Sequence, residues 1–434
     1  MFIRIFFQII VKIFYREIIV KGLENLPVSG QAIFTPNHPN SLIDPLLLSF
    51  LPSRYRIHFV AKAPLFNIPL LGWLMRKMGA IPVIRKFEAD GEVDYSAFFK
   101  SCVDSLASGE SITIFPEGVS LSQPRMSVMK TGAARLFFLS REKDINIHIV
   151  PIGLNYEYAP VFRTSVVMWI AKPPETDDVI KKYKNSPKDA VLELTDRIGK
   201  ALEECVFQSE NFHDRELMLY LDKIYSEDKT SESWAKKLKR LKQFEAGFNA
   251  LRDCCNTEID RLRLMLLRHK KLAHLLKTTD YSFDDNILQS LKRFLIVMSG
   301  FPFASIGWLF NVIPYQLCNF IVTNIKKYEI ATTATYKVTY SLFLYPAAYL
   351  IEGILLYKFF GRDVLMLFIV FIIPISYFTL FYMDWLYEGG WGIPALFRKL
   401  RKTFRRRITH LLEEQERRIK DLIDELASRI DTET

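Results

Sequence analysis

The chain has 434 residues, half of them hydrophobic, with 34 Phe and 19 Tyr, and 58 basic residues against 48 acidic ones leave a formal charge of +10. A mean hydropathy of +0.09 beside 24% charged residues means that the apolar residues are concentrated in segments, which favours an anionic membrane over nucleic acid as the partner of the positive charge. Five cysteines without a C-x-x-C pair (Cys102, Cys205, Cys254, Cys255 and Cys318) exclude a disulfide frame or a zinc site, and the scattered histidines offer no metal site.

Residues 1–21 are apolar but interrupted by Arg4, Lys12, Arg16 and Glu17, with no small-residue cleavage site after them. The pattern predicts an interfacial helix with its apolar face in lipid, the alternative being a first helix packed on a domain core. From about 30 to 172, short β-rich runs (31–37, 56–62, 80–85, 111–117, 147–154 and 165–172) alternate with helical stretches at 45–50, 65–78, 95–108 and 127–141. That alternation predicts a mixed α/β sheet covered by helices, with chemistry at the strand ends.

Residues 206–290 are charged, helical in spacing and nearly free of Gly and Pro, which predicts a helical arm. A membrane region, 291–390, follows. Residues 364–383 are twenty residues without a charge, enough to cross a hydrocarbon core of roughly 30 Å. Residues 338–357 form a second span flawed by Glu352, for which Lys358 offers an interfacial ion-pair partner, and Gly361-Arg362-Asp363 joins the two into a hairpin. The apolar run 294–322 is broken by Gly300, Pro302, Gly307, Asn311 and Pro314, predicting a re-entrant or surface segment, with a third span as the alternative. In the tail, 391–434, seven basic residues in ten (398–407) mark the cytosolic side by the positive-inside rule. A hairpin returns the chain to its starting side, so the α/β domain is expected there too. Ile408, Leu412, Ile419, Leu422, Leu426 and Ile430 then predict an amphipathic helix bound to the bilayer surface or a partner.

Four short blocks in the α/β region bear on chemistry. His38 and Asp44 lie in Asn37-His-Pro-Asn-Ser-Leu-Ile-Asp-Pro45, directly after the first β-rich run. A histidine can accept the proton of an attacking hydroxyl, and a carboxylate on its other nitrogen fixes the tautomer. Asp44-Pro45 reads equally as a helix start, Asp at N-cap and Pro at N1. The second block, Gly79-Ala-Ile-Pro-Val-Ile-Arg85, ends in a guanidinium suited to phosphate. The third, Phe115-Pro-Glu-Gly118, is a strand exit with a carboxylate, and the fourth is Val150-Pro-Ile-Gly153. Any of them alone has an ordinary structural explanation.

In order, His-x5-Asp, G-x-I-P-V-x-R, F-P-E-G and V-P-I-G resemble the four blocks of the glycerolipid acyltransferase family, which includes bacterial lysophosphatidate and glycerol-3-phosphate acyltransferases (PlsC-type). The resemblance covers about residues 20 to 175 and makes 22–205 an α/β acyltransferase domain. It implies His38 as general base with Asp44 as its partner, and Lys62, Arg85, Glu117 and Gly118 in acceptor binding. It further implies an acyl-CoA or acyl-carrier-protein donor as co-substrate with no other cofactor, and a glycerophosphate or lysophospholipid acceptor. The lipid bilayer is a partner, a carrier protein or second copy remains open, and no nucleic acid is expected. Two departures stand out. The usual His-x4-Asp has one extra residue here, which a turn at Pro39-Asn40 would absorb before a helix begins. The frequent F-P-E-G-T-R reads Val119-Ser120 after the glycine, so an expected phosphate-binding Arg is absent. Ser120 and Lys130 instead resemble a glycerol-3-phosphate acyltransferase branch, with Lys130 either replacing the lost charge or standing as a solvated helix-end lysine. The missing Arg keeps a phosphate-free lipid acceptor open, and a non-catalytic lipid-binding protein is the alternative of a different class.

Overall fold

The structure is a computed structural model that describes residues 2–67, 69–77, 79–84, 94–225, 234–254, 256–276, 287–325, 329–386, 410 and 413–424. Seven strands form one sheet: β1 (Glu17–Lys21), β2 (Gln31–Pro36), β3 (Ile57–Lys62), β4 (Ile81–Val83), β5 (Ser111–Thr113), β6 (Ile147–Tyr156) and β7 (Ser165–Ile170). Their order is β1-β7-β6-β2-β5-β3-β4, with every pair parallel except β6–β7. The parallel strands need crossovers, and α2 (Ile43–Leu47), α3 (Pro69–Lys77), α4 (Ser96–Ala107) and α5 (Gly132–Arg141) lie in them, while α1 (Phe2–Phe14) precedes the first strand and α6 (Asp177–Tyr183) and α7 (Pro187–Cys205) follow the last. Five of the six expected strands are shorter than the sequence pattern indicated, because pairing with a neighbour ends before the apolar run does, and β6 runs two residues longer, to Tyr156.

The expected helix over 1–21 ends at Phe14. Residues 17–21, Glu-Ile-Ile-Val-Lys, pair with β7 from Glu17↔Ser165 to Lys21↔Trp169, because their β-branched residues suit a sheet edge better than a helix. Val11 and Phe14 are buried, whereas Ile5, Phe6, Ile9 and Ile13 form an exposed apolar stripe at helical spacing.

One face of the sheet carries the core, where Ile33, Ile112, Ile147 and Ile149 meet Leu106 of α4, Phe137 and Phe138 of α5 and Leu194, Ile198 and Leu202 of α7. α7 starts with Pro187 at its first turn and buries a stripe from Ala190 to Cys205 at helical period. It stops where its last carbonyl crosses β6. Asn155 Nδ2 donates to Cys205 O at 2.8 Å, and Phe207 N–H returns to Asn155 Oδ1 at 2.8 Å. A Cβ on Gly153 would lie 2.4 Å from that carbonyl oxygen, so the glycine of the fourth block is demanded by a backbone crossing.

The chain divides into two compact units, Met1–Gln208 with Glu329–Thr335, and the remainder. In the second unit the arm comprises α8 (Phe212–Tyr225), α9 (Trp234–Cys254) and α10 (Asn256–Leu276). Its buried Asp214 is held by Arg263 at 2.8 Å and Arg252 at 3.2 Å. The expected surface or partner-binding tail helix is described over 413–424, where Ile419 and Leu422 are buried. Lys420 lies over the Tyr225 ring at 5.5 Å and Glu416 stands 3.5 Å from His269, so this helix docks on the chain's own arm. The basic run 398–407 lies outside the described residues.

Three further helices are long and apolar enough to cross a membrane: α11 (Ile287–Phe320, continued by a π-helical turn to Ile325), α12 (Ile330–Phe360) and α13 (Arg362–Trp385). The expected break in 294–322 does not occur; Pro302 and Pro314 lie inside α11. Gly300 and Gly307 act as contact points rather than breakers, since a Cβ there would meet the Tyr382 ring at 2.6 Å and Thr379 Oγ1 at 2.1 Å. Asn311 Nδ2 donates to Ser376 Oγ at 2.7 Å and Tyr349 OH to Asn311 Oδ1 at 2.8 Å, tying the three helices together. Glu352 is not paired with Lys358; its Oε2 is enclosed without a hydrogen-bond partner among the described residues.

Gly153→Ala is expected to destabilise the α/β unit by about 1–3 kcal/mol, as overpacking against fixed backbone does. A thermal melt of the detergent-solubilised protein checks this, and an unchanged midpoint would contradict the crossing.

Candidate active site

The central strand β2 delivers Asn37 and His38 at its C-terminal end. Asn37 grips the backbone of β6, accepting Leu154 N–H at 2.6 Å and donating to Leu154 O at 3.2 Å. His38 Nδ1 lies 2.8 Å from Asp44 Oδ2, and its ring stacks on Phe115 at 3.9 Å with 20° between the planes. With the Nδ1 proton donated to the Asp44 carboxylate, Nε2 carries a lone pair able to accept a proton. The ring is 12% exposed, enough for a substrate hydroxyl to reach it.

Asp44 is fully buried, so its charge requires donors. Besides His38, its Oδ2 accepts Asn40 N–H at 2.7 Å and its Oδ1 accepts Tyr156 OH at 2.5 Å. Asn40 Nδ2 donates to Tyr15 OH at 2.6 Å, and Tyr15 OH donates to Ala159 O at 2.8 Å. Burial, and then the neighbouring Asp44 charge, push both tyrosine phenols well above their ordinary range, so each keeps its proton and remains a donor. Neither tyrosine was marked by the sequence. Tyr15 follows α1 and Tyr156 ends β6, and only the sheet order brings them to Asp44.

The extra residue between His38 and Asp44 is absorbed in a turn, as expected, although the left-handed residue is Ser41 (φ +45°) rather than Pro39 or Asn40. The helix begins at Ile43, which places Asp44 in its first turn and not at the N-cap. The F-P-E-G exit from β5 fastens this turn. Glu117 Oε1 accepts His38 N–H at 2.7 Å and Oε2 accepts Ser127 N–H at 2.8 Å. Burial raises the Glu117 carboxyl above its ordinary range, and the two amides pull against that rise. Leu121 N–H bonds His38 O at 3.1 Å, and Ser120 Oγ accepts Ser41 N–H at 2.8 Å. Gly118 turns the loop at φ +70°, where a side chain would be strained and its Cβ would lie 3.4 Å from Lys130.

The structure therefore brings His38, Asp44, Glu117 and Ser120 into one bonded cluster. Gly118 and Lys130 belong to the same loop, with Lys130 N–H on Pro116 O at 2.6 Å and its side chain exposed. Lys62 ends β3 at the same edge of the parallel strands, beside Val83 of β4. Arg85 lies outside the described residues. Among the described residues no group of three or more His, Cys, Asp or Glu side chains is placed to hold a metal.

Residues 17–155 match the family model described as Acyltransferase. The chain is similar to the chloroplastic 1-acyl-sn-glycerol-3-phosphate acyltransferase of Arabidopsis thaliana, 34% identical over 32% of this chain and 36% of the plant protein. It is also similar to glycerol-3-phosphate O-acyltransferase 1 of Saccharomyces cerevisiae, 30% identical over 31% of this chain and 18% of the yeast protein. The match thus spans little more than a third of these relatives at most. A solved structure, the 1-acyl-sn-glycerophosphate acyltransferase of Thermotoga maritima, aligns with 43% of this chain and 79% of its own at 18% identity and a TM-score of 0.29.

Tyr156→Phe deletes one hydrogen bond to a buried charge, worth about 1.5–3 kcal/mol. Acyl transfer is expected to fall roughly tenfold at unchanged acceptor KM, as befits an interaction that steadies the base rather than the substrate. Steady-state kinetics check it, and an unaltered kcat would remove Tyr156 from the site.

Proposed function

We propose that this protein is a membrane-bound O-acyltransferase of glycerolipid synthesis. It transfers a fatty acyl group from acyl-CoA or an acyl-carrier protein to a hydroxyl of glycerol 3-phosphate or its 1-acyl derivative. The observation that carries this reading is the His38–Asp44 pair at 2.8 Å, at the end of the central strand of an acyltransferase-family domain. The acceptor hydroxyl attacks the thioester carbonyl while His38 Nε2 takes its proton. The developing imidazolium is stabilised by Asp44, and its proton then leaves with the thiolate as free thiol. Lys62, Arg85 and Lys130 supply positive charge for an acceptor phosphate. Glu117, whose oxygens both hold backbone amides, acts by holding the loops, with Gly118 and Ser120 beside it.

A phosphate-free lipid acceptor is the second reading, favoured by Ser120 standing where a phosphate-binding Arg is frequent and spending its hydroxyl on Ser41 N–H. Absence of competition by millimolar glycerol 3-phosphate would select it.

We further infer that α12 and α13 form a transmembrane hairpin, with the acyltransferase domain and the tail on the cytosolic face. Three spanning-length helices would leave the two ends on opposite sides if all crossed. The tail helix, however, docks on the arm that precedes α11, which supports an even number of crossings. Both ends of α11 meet the open end of the hairpin, opposite the turn at Gly361: Tyr382 OH donates to Val297 O at 2.7 Å, and Cys318 Sγ donates to Lys337 O at 3.4 Å. On this reading α11, unbroken but carrying Pro302 and Pro314, bends and so enters and leaves on one side.

Two outcomes follow. His38→Ala in the purified full-length protein should lower acyl transfer on the order of 10²–10⁴-fold, the usual worth of a general base; an unchanged rate would refute the mechanism. In oriented vesicles, single cysteines at Lys143, Glu329 and His410 should be labelled from one face and one at Arg362 only from the other. Labelling of Glu329 with Arg362, or of His410 opposite Lys143, would overturn the topology.

A further inference from the structure

The turn between His38 and Asp44 is held through consecutive backbone amides, each with a different acceptor. Asn40 N–H bonds Asp44 Oδ2, Ser41 N–H bonds Ser120 Oγ, and Ile43 N–H bonds Asn40 O at 3.0 Å. The remaining amide, Leu42 N–H, is taken by Thr335 Oγ1 at 3.1 Å, from a residue 293 positions later in the chain. Thr335 ends the segment Glu329–Thr335, which belongs to the α/β unit although it opens the long apolar helix α12. Ala331 and Ala334 of this segment are buried, at 2% and 0% exposure, so small side chains let its backbone come close.

The amide has no acceptor within its own helix, and Thr335 takes it in place of water at an exposed residue. Leu42 immediately precedes α2, where N–H groups have no intrahelical acceptor. Ser41, within the His-x5-Asp spacing, lies in the left-handed region at φ +45°, a conformation disfavoured for a side chain with a Cβ. Such a turn persists only where its surroundings hold it.

We propose that Thr335 is a positioning residue for acyl transfer: the opening turns of the apolar helix α12 clamp the turn that sets Asp44 against His38. This rests on the acyltransferase reading above. It makes α12 a supporting element of the catalytic geometry, beyond any role as a membrane anchor, and it ties the longer His–Asp spacing to a segment far outside the acyltransferase-family match.

The test uses the full-length protein in lipid nanodiscs with Thr335→Val and Thr335→Ser. The valine variant keeps the shape and loses the acceptor oxygen; the serine variant keeps the oxygen. Expected are a several-fold loss of kcat at unchanged acceptor KM for Thr335→Val and near-complete rescue in Thr335→Ser. Amide hydrogen exchange over residues 38–47, followed by mass spectrometry, should accelerate in the valine variant only. That second readout does not depend on turnover. Equal exchange in all three proteins, or equal kcat for valine and wild type, would overturn the proposal. Accelerated exchange in a wild-type background that transfers no acyl group would instead sink the acyltransferase reading and leave the clamp standing.

Discussion

A carboxylate with no exposure to water costs several kcal/mol unless donors replace the solvent it has lost, and Asp44 is such a group. Its donors come from every part of the α/β unit. His38 leaves β2, the Asn40 amide belongs to the turn after it, and Tyr156 closes β6. Tyr15, which follows α1, supports Asn40 through its phenol oxygen. Satisfying one charge therefore assembles the central strand, its parallel neighbour β6 and the amino-terminal helix around a single oxygen pair. The same arrangement favours one tautomer of His38, with the Nδ1 proton donated to Asp44.

The loop after β5 reinforces that arrangement from the other side. Glu117 spends both oxygens on backbone amides, one of them the amide of His38 itself, and Ser120 secures Ser41. Lys62 and Lys130, by contrast, keep their side chains exposed.

In the apolar region, residues that break helices in water become contact points. Gly300 and Gly307 lie under Tyr382 and Thr379, and Asn311 finishes its hydrogen bonds on Ser376 and Tyr349. Where no water competes, polar groups seek one another across helices and small residues permit close approach. Docking of the tail helix on the arm follows ordinary aqueous rules: Ile419 and Leu422 bury their apolar side against the chain itself.

Much of this protein was legible in its sequence. Period-two and period-3.6 patterns are local, so strands β2 to β7, the arm and the apolar helices were visible before any contact was known. The His38–Asp44 pair was visible for the same reason, since both residues lie in one short block. What depended on distant neighbours was not. Residues 17–21 read as part of a helix because their pairing partner, β7, lies nearly 150 residues away. Pro302 and Pro314 read as breaks because sequence does not display the helices packed around them. Tyr15, Tyr156 and Thr335 carried no signal at all, for an isolated tyrosine or threonine becomes a donor or acceptor to a particular atom only when the fold carries it there. Sequence alone determined which groups can do the chemistry; the tertiary structure decided which of them touch, because burying Asp44 draws its partners from segments that no local pattern connects.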